Sequence, residues 1–270
     1  MDILKPKGVL DCVYYYSLVA KKCKNFLKGR ELVSKVFLPN GITLMRRGSV
    51  LKPLYADELI KAVDDKFLEL RVKNHLKDVK NKLTKEQINV WEYFFPRKLC
   101  EFHYAVNHEG KNKDIDRIYF DIDRKNNSVD EALKVSKELI KIIKRDFSKK
   151  TLLIWTGHSF HVYTFFNKKP HSFYITNFSG KNNLVIKWAK EISEKTKIKT
   201  CATHEKKRNM IIIDPSQSTS GKIGRVPYSL HINNNNKING VSCVVEKENA
   251  KFLESLTVEK IVRNDLMKKI

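Results

Sequence analysis

Ile118-Tyr119-Phe120-Asp121-Ile122-Asp123 is a short apolar run that acquires an acid at every second place before it gives way to the polar Arg124-Lys125-Asn126-Asn127. Its length, its aromatic and β-branched content and its polar boundary read as a β-strand. Residues two apart in a strand share a face, so Asp121 and Asp123 stand side by side, with Phe120 and Ile122 on the opposite face. Two carboxylates that close repel and desolvate poorly unless a cation neutralises them, and hard oxygen ligands suit Mg or Mn. A solvated turn at a strand end is the ordinary alternative for such a pair.

Working outward, Ser128 and Glu131 form a capping box ahead of Leu133, Leu139, Ile140 and Ile143, which predicts a helix. Strands follow at about 152–155 and 161–166, joined by Thr156-Gly157-His158-Ser159-Phe160, then a helix over 184–194 and strands at 210–213 and 240–245. Polar turns are expected at 181–183 and 233–237, and helix from about Glu246 to the end. Upstream, after Leu10–Leu18 and a Lys-rich stretch, Glu31–Leu38 and Thr43–Arg47 flank the turn signal Pro39-Asn40-Gly41 and read as a hairpin. Residues 57–83 read as helix, with Leu59, Ile60, Val63, Phe67 and Leu70 on a recurring face. Strands next to strands, with helices between, suggest a mixed α/β or α+β core.

The 53 Lys and Arg against 30 Asp and Glu leave a net charge of +23, a field that attracts polyanions and favours nucleic acid as partner. Basic composition without a polyanionic ligand is the plainer explanation, and charge does not separate a binder from an enzyme. Five widely spaced cysteines, at 12, 23, 100, 201 and 243, read as reduced thiols. Apolar runs such as Met210–Ile213 are far too short to cross a bilayer. A soluble, cytoplasmic protein with no membrane partner is expected. A Walker-type phosphate loop is absent.

Two further clusters can carry chemistry. The turn after Trp155 crowds Thr156, His158, Ser159 and His161 around Gly157, and such hydroxyls, imidazoles and close-approaching amides can donate to phosphate oxygens. A structural turn with packed histidines is as good a reading. Asp214 closes the apolar Ile211-Ile212-Ile213, a place that holds a carboxylate rigidly, and Arg225 and His231 downstream are cationic donors suited to phosphate. Cys100-x-x-His103 and Cys201-x-x-His204 have zinc-ligand spacing but nothing else in their support, so zinc is not expected.

Taken in order, Asp121-Ile122-Asp123, Ser159-Phe160-His161, Asp214 and Arg225-Val226-Pro227-Tyr228-Ser229-Leu230-His231 resemble the motifs of the archaeo-eukaryotic primase superfamily: an Asp-x-Asp pair, a Ser-x-His, a strand-end Asp and an Arg/Lys-x-Pro-x-Ser-Leu-His segment. The likeness extends from about Arg30 to Val245, with Arg30-Glu31-Leu32 and the strand ending at Leu44-Met45-Arg46-Arg47 similar, more loosely, to the family's Arg-Glu-Phe segment and the basic strand after it. Glu101-Phe102-His103-Tyr104 falls where the family meets the incoming nucleotide. The turn at 156–161 is shorter than the primase small-subunit form, and no cysteine cluster separates Asp123 from Thr156. Both departures point to a compact relative, nearer the polymerase domains of end joining.

The resemblance implies an α+β fold: a primase/polymerase catalytic core with a mixed, mainly antiparallel sheet, RRM-like in one half, flanked by helices. One catalytic domain over 1–270 is expected, with an N-terminal lobe at 1–115, the metal- and nucleotide-binding core at 116–245 and C-terminal helices at 246–270. It further implies that Asp121, Asp123 and Asp214 hold two Mg or Mn ions. Thr156, His158, Ser159, His161, Arg225, His231 and Arg47 would then bind the nucleotide. The partners would be a DNA template and primer and nucleoside triphosphates, with a primase large subunit, a ligase or a helicase on a separate chain as further candidates. The activity implied is template-directed synthesis of RNA or DNA. Gap-filling extension without de novo priming, a metal-dependent nuclease using Asp123 and Lys125, and a non-catalytic nucleic-acid-binding module are the alternatives.

Overall fold

In the computed structural model the described residues are 4–5, 8–38, 41–48, 50–107, 114–180, 183–202, 209–233 and 235–263. Two units divide the chain, the first drawn from 1–104, 225–239 and 258–270, the second from 105–224 and 240–257. In chain order the elements begin with α1 (Cys12–Lys22), α2 (Lys24–Leu27), β1 (Leu32–Phe37), β2 (Thr43–Arg46), α3 (Ala56–Ala62), α4 (Asp65–Lys73), α5 (Leu76–Val79), α6 (Lys85–Tyr93) and β3 (Cys100–Ala105). They continue with β4 (Ile115–Asp123), α7 (Val129–Phe147), β5 (Thr151–Trp155), β6 (Phe160–Lys169), α8 (His171–Phe178), α9 (Leu184–Thr196), β7 (Thr200–Cys201) and β8 (Ile211–Asp214). The last are β9 (Ile223–Arg225), β10 (Leu230–Ile232), β11 (Ile238–Val241), β12 (Cys243–Val244), α10 (Ala250–Glu254) and α11 (Val258–Ile261).

In the first unit β1 and β2 form the expected antiparallel hairpin, Ser34 opposite Arg46 and Phe37 opposite Thr43. Pro39 and Asn40 of its turn lie outside the described residues. The other edge of β1 pairs antiparallel with β3, Leu32 opposite Tyr104 and Lys35 opposite Glu101. One face of this sheet is packed by α1, where the Tyr16 ring stacks on Phe102 with centroids 4.6 Å apart and its hydroxyl donates to the Cys100 carbonyl at 2.5 Å. Beneath it Arg71, fully buried, donates to Asp11 Oδ2 at 2.6 Å and to the carbonyls of Trp91 and Phe94. A buried guanidinium is tolerated only when its donors are so matched.

The single helix expected over 57–83 is instead α3, α4 and α5 with breaks between them. Val63 turns extended after α3, and the Asp64 side chain accepts from Phe67 N at 2.7 Å, capping a new helix. Short acids compete with the helical backbone and favour such caps, so the recurring apolar face did not imply continuity. The C-terminal helices likewise start later than Glu246, at Ala250 behind the Asn249 cap and at Val258.

The second unit is built on a six-stranded sheet of order β12-β5-β6-β4-β8-β7, antiparallel at every described pairing except β7 with β8. Ile118, Phe120 and Ile122 of β4 are fully buried on one face. Phe120 meets Phe178 of α8 and Trp188 of α9 edge-on, with centroids 5.8 and 5.9 Å apart. Burying each such aromatic contributes roughly 1.5–3 kcal/mol. Helix α7 opens on the expected Ser128–Glu131 capping box and stops at Ser148, whose left-handed backbone returns its N–H to Lys144 O. Helix α9 starts on Asn183, whose side chain accepts from Val185 N and Ile186 N. The fold is thus α+β, with mainly antiparallel sheets flanked by helices, and one face of β4 committed to the core leaves the other face for chemistry. Among the described residues no helix is long and apolar enough to cross a membrane.

Candidate active site

On the second face of the six-stranded sheet, pairing register sets a row across β6, β4 and β8. Asp121 lies opposite His161 on one side and opposite Asp214 on the other. Directly paired residues have their side chains on the same face, so three strands distant in sequence deliver His161, Asp121 and Asp214 side by side. Asp123, two residues along β4, extends the row, opposite Ile212. His161 is 7% exposed, its Nε2 3.5 Å from Asp121 Oδ1, and its ring lies 4.7 Å from that of Tyr119, which stacks on Tyr163. Those aromatics hold the imidazole beside the carboxylate.

Each remaining acid has a local partner. Asp214, 6% exposed, accepts from Ser216 N at 2.8 Å and from Ser216 Oγ at 3.0 Å. Asp123 accepts from Lys125 N at 3.1 Å and pairs with Lys125 Nζ at 2.5 Å. Lys125 reaches back because its own backbone is left-handed, with φ 50°. As the side chains stand, no three His, Cys, Asp or Glu among the described residues are close enough to hold a metal ion. The donor chemistry nevertheless fits a hard divalent cation: three carboxylates share one sheet face, and two of them are directly paired across β4 and β8.

The turn between β5 and β6 is knitted internally. Thr156 Oγ1 accepts from Ser159 N at 2.9 Å and donates to Ser159 O at 3.1 Å, and Ser159 Oγ donates to the Ile122 carbonyl, tying the turn to β4. Arg124 Nε donates to His158 O at 2.9 Å. Burial, with Arg124 adding to it, lowers the pKa of His158. Gly157, at φ 93°, is pressed by Gly240 of β11, where an added Cβ would sit 2.6 Å from the Gly157 carbonyl oxygen. Both positions therefore need glycine, one for its backbone angle and one for space.

The expected nucleotide-binding residues Arg225, His231 and Arg47 belong to the first unit. There Arg225 donates to Leu230 O at 2.6 Å and to Glu101 Oε1 at 2.9 Å. Glu101, 1% exposed, also accepts from Ile232 N, faces Lys35 Nζ at 3.6 Å and takes a hydrogen bond from His103 Nε2 at 3.1 Å. Burial would raise the Glu101 carboxyl, but His103, Arg225 and Lys35 outweigh it and hold it well below the usual carboxylate range. Arg47 Nη2 lies 3.6 Å from Glu31 Oε2, and His231 sits half-buried on β10. Cys100, considered with His103 as a zinc half-site, has its thiol pushed up by burial. His204 lies outside the described residues.

Sequence reasoning did not single out Ser216, which fixes Asp214, nor Arg124 as a support of the turn. Asp214-Pro215-Ser216 carries a local signal, an acid two residues before a hydroxyl, of the kind that makes side-chain-to-backbone turns.

Residues 10–249 match the LigD primase-polymerase domain, and the chain belongs to that family. It is therefore a DNA-directed nucleotidyltransferase, a relative of the end-joining polymerases within the archaeo-eukaryotic primase superfamily. The fold is similar to the polymerase domain of Mycobacterium tuberculosis ligase D, solved in complex with DNA, at 14% identity and a TM-score of 0.59 over 97% of this chain and 92% of that one. The primase RepB' aligns at 9% identity and a TM-score of 0.34 over 85% of this chain and 56% of that one. No curated protein matches the sequence.

Proposed function

We propose that the chain extends a primer on a DNA template from nucleoside triphosphates, with Asp121, Asp123 and Asp214 holding two divalent ions, Mg or Mn. The observation that carries this is the pairing of Asp121 with Asp214 across β4 and β8, with Asp123 on the same face. Bound divalent ions supply charge neutralisation at the transferring phosphate and acidify the attacking 3′-hydroxyl. The protein's own part is positioning. Ser216 fixes the Asp214 carboxylate, and Asp121 is set by register beside an imidazole packed on Tyr119. His161 is the proposed donor to a phosphate oxygen, with Thr156, His158 and Ser159 as further candidates on the turn that Thr156 and Ser159 hold together. Arg225 and His231 are proposed as further phosphate contacts on the strength of the motif they share with the family, and Arg47 on the looser likeness of the basic strand it ends. DNA template and primer are the proposed partners, as DNA is for the mycobacterial domain.

The test uses a primer-template and a template alone, each with dNTPs or rNTPs and with Mg or Mn. Extension by the protein and its loss in Asp121→Ala/Asp123→Ala are expected. Synthesis undiminished in that double variant overturns the assignment. The primase likeness of the Arg225–His231 segment favours a second reading, de novo priming, which predicts products in the template-only lane; none there leaves gap-filling extension. Loss of labelled DNA without nucleotides would mark a nuclease.

A further inference from the structure

The first unit contains a cavity of about 650 Å3 that none of the proposed metal ligands or nucleotide contacts lines. That volume suits a small organic ligand, for which pockets run roughly 300–1,000 Å3. Its walls are of two kinds. Trp91, Phe95 and Leu51 supply aromatic and apolar surface, and Arg46, Lys77 and Arg97 supply positive charge, with Glu92 the acid among the lining residues. Trp91 is a fixed wall: the Arg71 guanidinium lies 5.2 Å from its ring centre and Phe67 meets it edge-on at 6.0 Å. Arg97 is fixed too, donating to the carbonyls of Arg71 and Val72 at the end of α4.

Phe95 is different, because the residue is 53% exposed. What sets it apart from the other exposed apolar side chains is its place in the lining of the cavity, where its face is available to a flat ligand. Arg46 Nε donates to the Phe95 carbonyl at 3.4 Å, which ties the guanidinium to that residue's backbone, while Lys77 is exposed. An aromatic face, a neighbouring arginine plane and a mobile ammonium are the components that receive a flat base and its phosphate.

We propose that this cavity binds a nucleotide, with the base against Phe95 and the phosphate toward Arg46 and Lys77. The nucleotide can come free in solution or as one unit of a single strand. The strand as source rests on the polymerase reading above, whereas the cavity's chemistry does not.

The experiment uses the full chain with two probes, AMP and a fluorescein-labelled oligo-dT, and a duplex of the same length as control. Phe95→Ala is expected to weaken oligo-dT binding roughly 5- to 100-fold while leaving duplex binding unchanged, and Phe95→Tyr to restore it. Lys77→Glu is expected to reduce the salt dependence of oligo-dT binding by about one phosphate contact. AMP competing with oligo-dT at the cavity identifies the free nucleotide as a source; AMP binding that Phe95→Ala abolishes, with oligo-dT unaffected, makes it the source outright. Wild type and Phe95→Ala binding both probes alike, or losing duplex binding equally, would overturn the proposal. An unchanged unfolding midpoint of Phe95→Ala excludes misfolding. Extension assays separate the two readings: wild type that fails to extend yet binds oligo-dT through Phe95 sinks the polymerase and keeps the cavity, and the reverse pattern does the opposite.

Discussion

Removing Lys125 should tighten the binding of a divalent ion to the carboxylate face. Lys125 Nζ stands 2.5 Å from Asp123 Oδ2, with the two side chains 39% and 38% exposed. On the proposed assignment an ion held by Asp123 would have to displace this ammonium, so the two would compete. A half-exposed pair of this kind is worth about 0.2–1 kcal/mol. With tenfold in affinity per roughly 1.4 kcal/mol, Lys125→Ala should lower the dissociation constant for Mn about 1.5- to 5-fold. Lys125→Arg should leave it near the wild-type value, and Asp123→Ala should weaken it well beyond either. The measurement is direct titration of the nucleotide-free protein with Mn, followed by the electron paramagnetic resonance of the unbound ion, which needs no turnover. Added salt screens an exposed pair, so the difference between wild type and Lys125→Ala should shrink as ionic strength rises. Unchanged or weaker Mn binding in Lys125→Ala refutes the competition.

Three further outcomes follow from other parts of the molecule. Arg71→Met strands Asp11, 1% exposed, without its partner, and should cost about 3–5 kcal/mol in urea unfolding. Adding Asp11→Asn should recover most of that loss. Burial, reinforced by Arg225 and Lys35, lowers the pKa of His103 against the pull of Glu101. The unfolded imidazole therefore takes a proton below about pH 6.5 that the fold does not, and stability should fall as pH drops through that value. Glu101, held down in the fold, contributes stability that is complete above about pH 4.3 and lost as pH falls further. Urea midpoints taken down the pH range should show both steps, the upper one absent in His103→Gln. Gly240→Ala drives a methyl to 2.6 Å from the Gly157 carbonyl, forcing the His158–Ser159 turn to shift. A loss of roughly 1–3 kcal/mol of stability and lower kcat/KM in primer extension are expected; wild-type values for both would show that the turn yields freely.

Local pattern reached a good part of this architecture. The strand 118–123, the capping box at Ser128, the hairpin strands and helix 184–194 all rest on interactions within a few residues, and they appear as expected, to within a few residues at their ends. Helix continuity from 57 to 83 failed because Asp64 could cap as well as continue, and both choices satisfy the same apolar spacing. Strand β3 alternates apolar and polar residues, Cys100-Glu101-Phe102-His103-Tyr104, yet all six of its residues are buried, because Glu101 and His103 bond each other instead of facing water.

The site divides along the same line. The sequence alone determined that Asp121 and Asp123 share a face, because a period of two is a property of any strand. It also contained Asp214 and His161, whose order pointed to a family. Only the tertiary structure decided that Asp214 and His161 flank Asp121 in register and that Glu101 secures Arg225 across 124 positions of chain. Those contacts depend on which strand edges meet and on which donor lies nearest once they do. Both are settled by packing over the whole unit, which no spacing along the chain encodes.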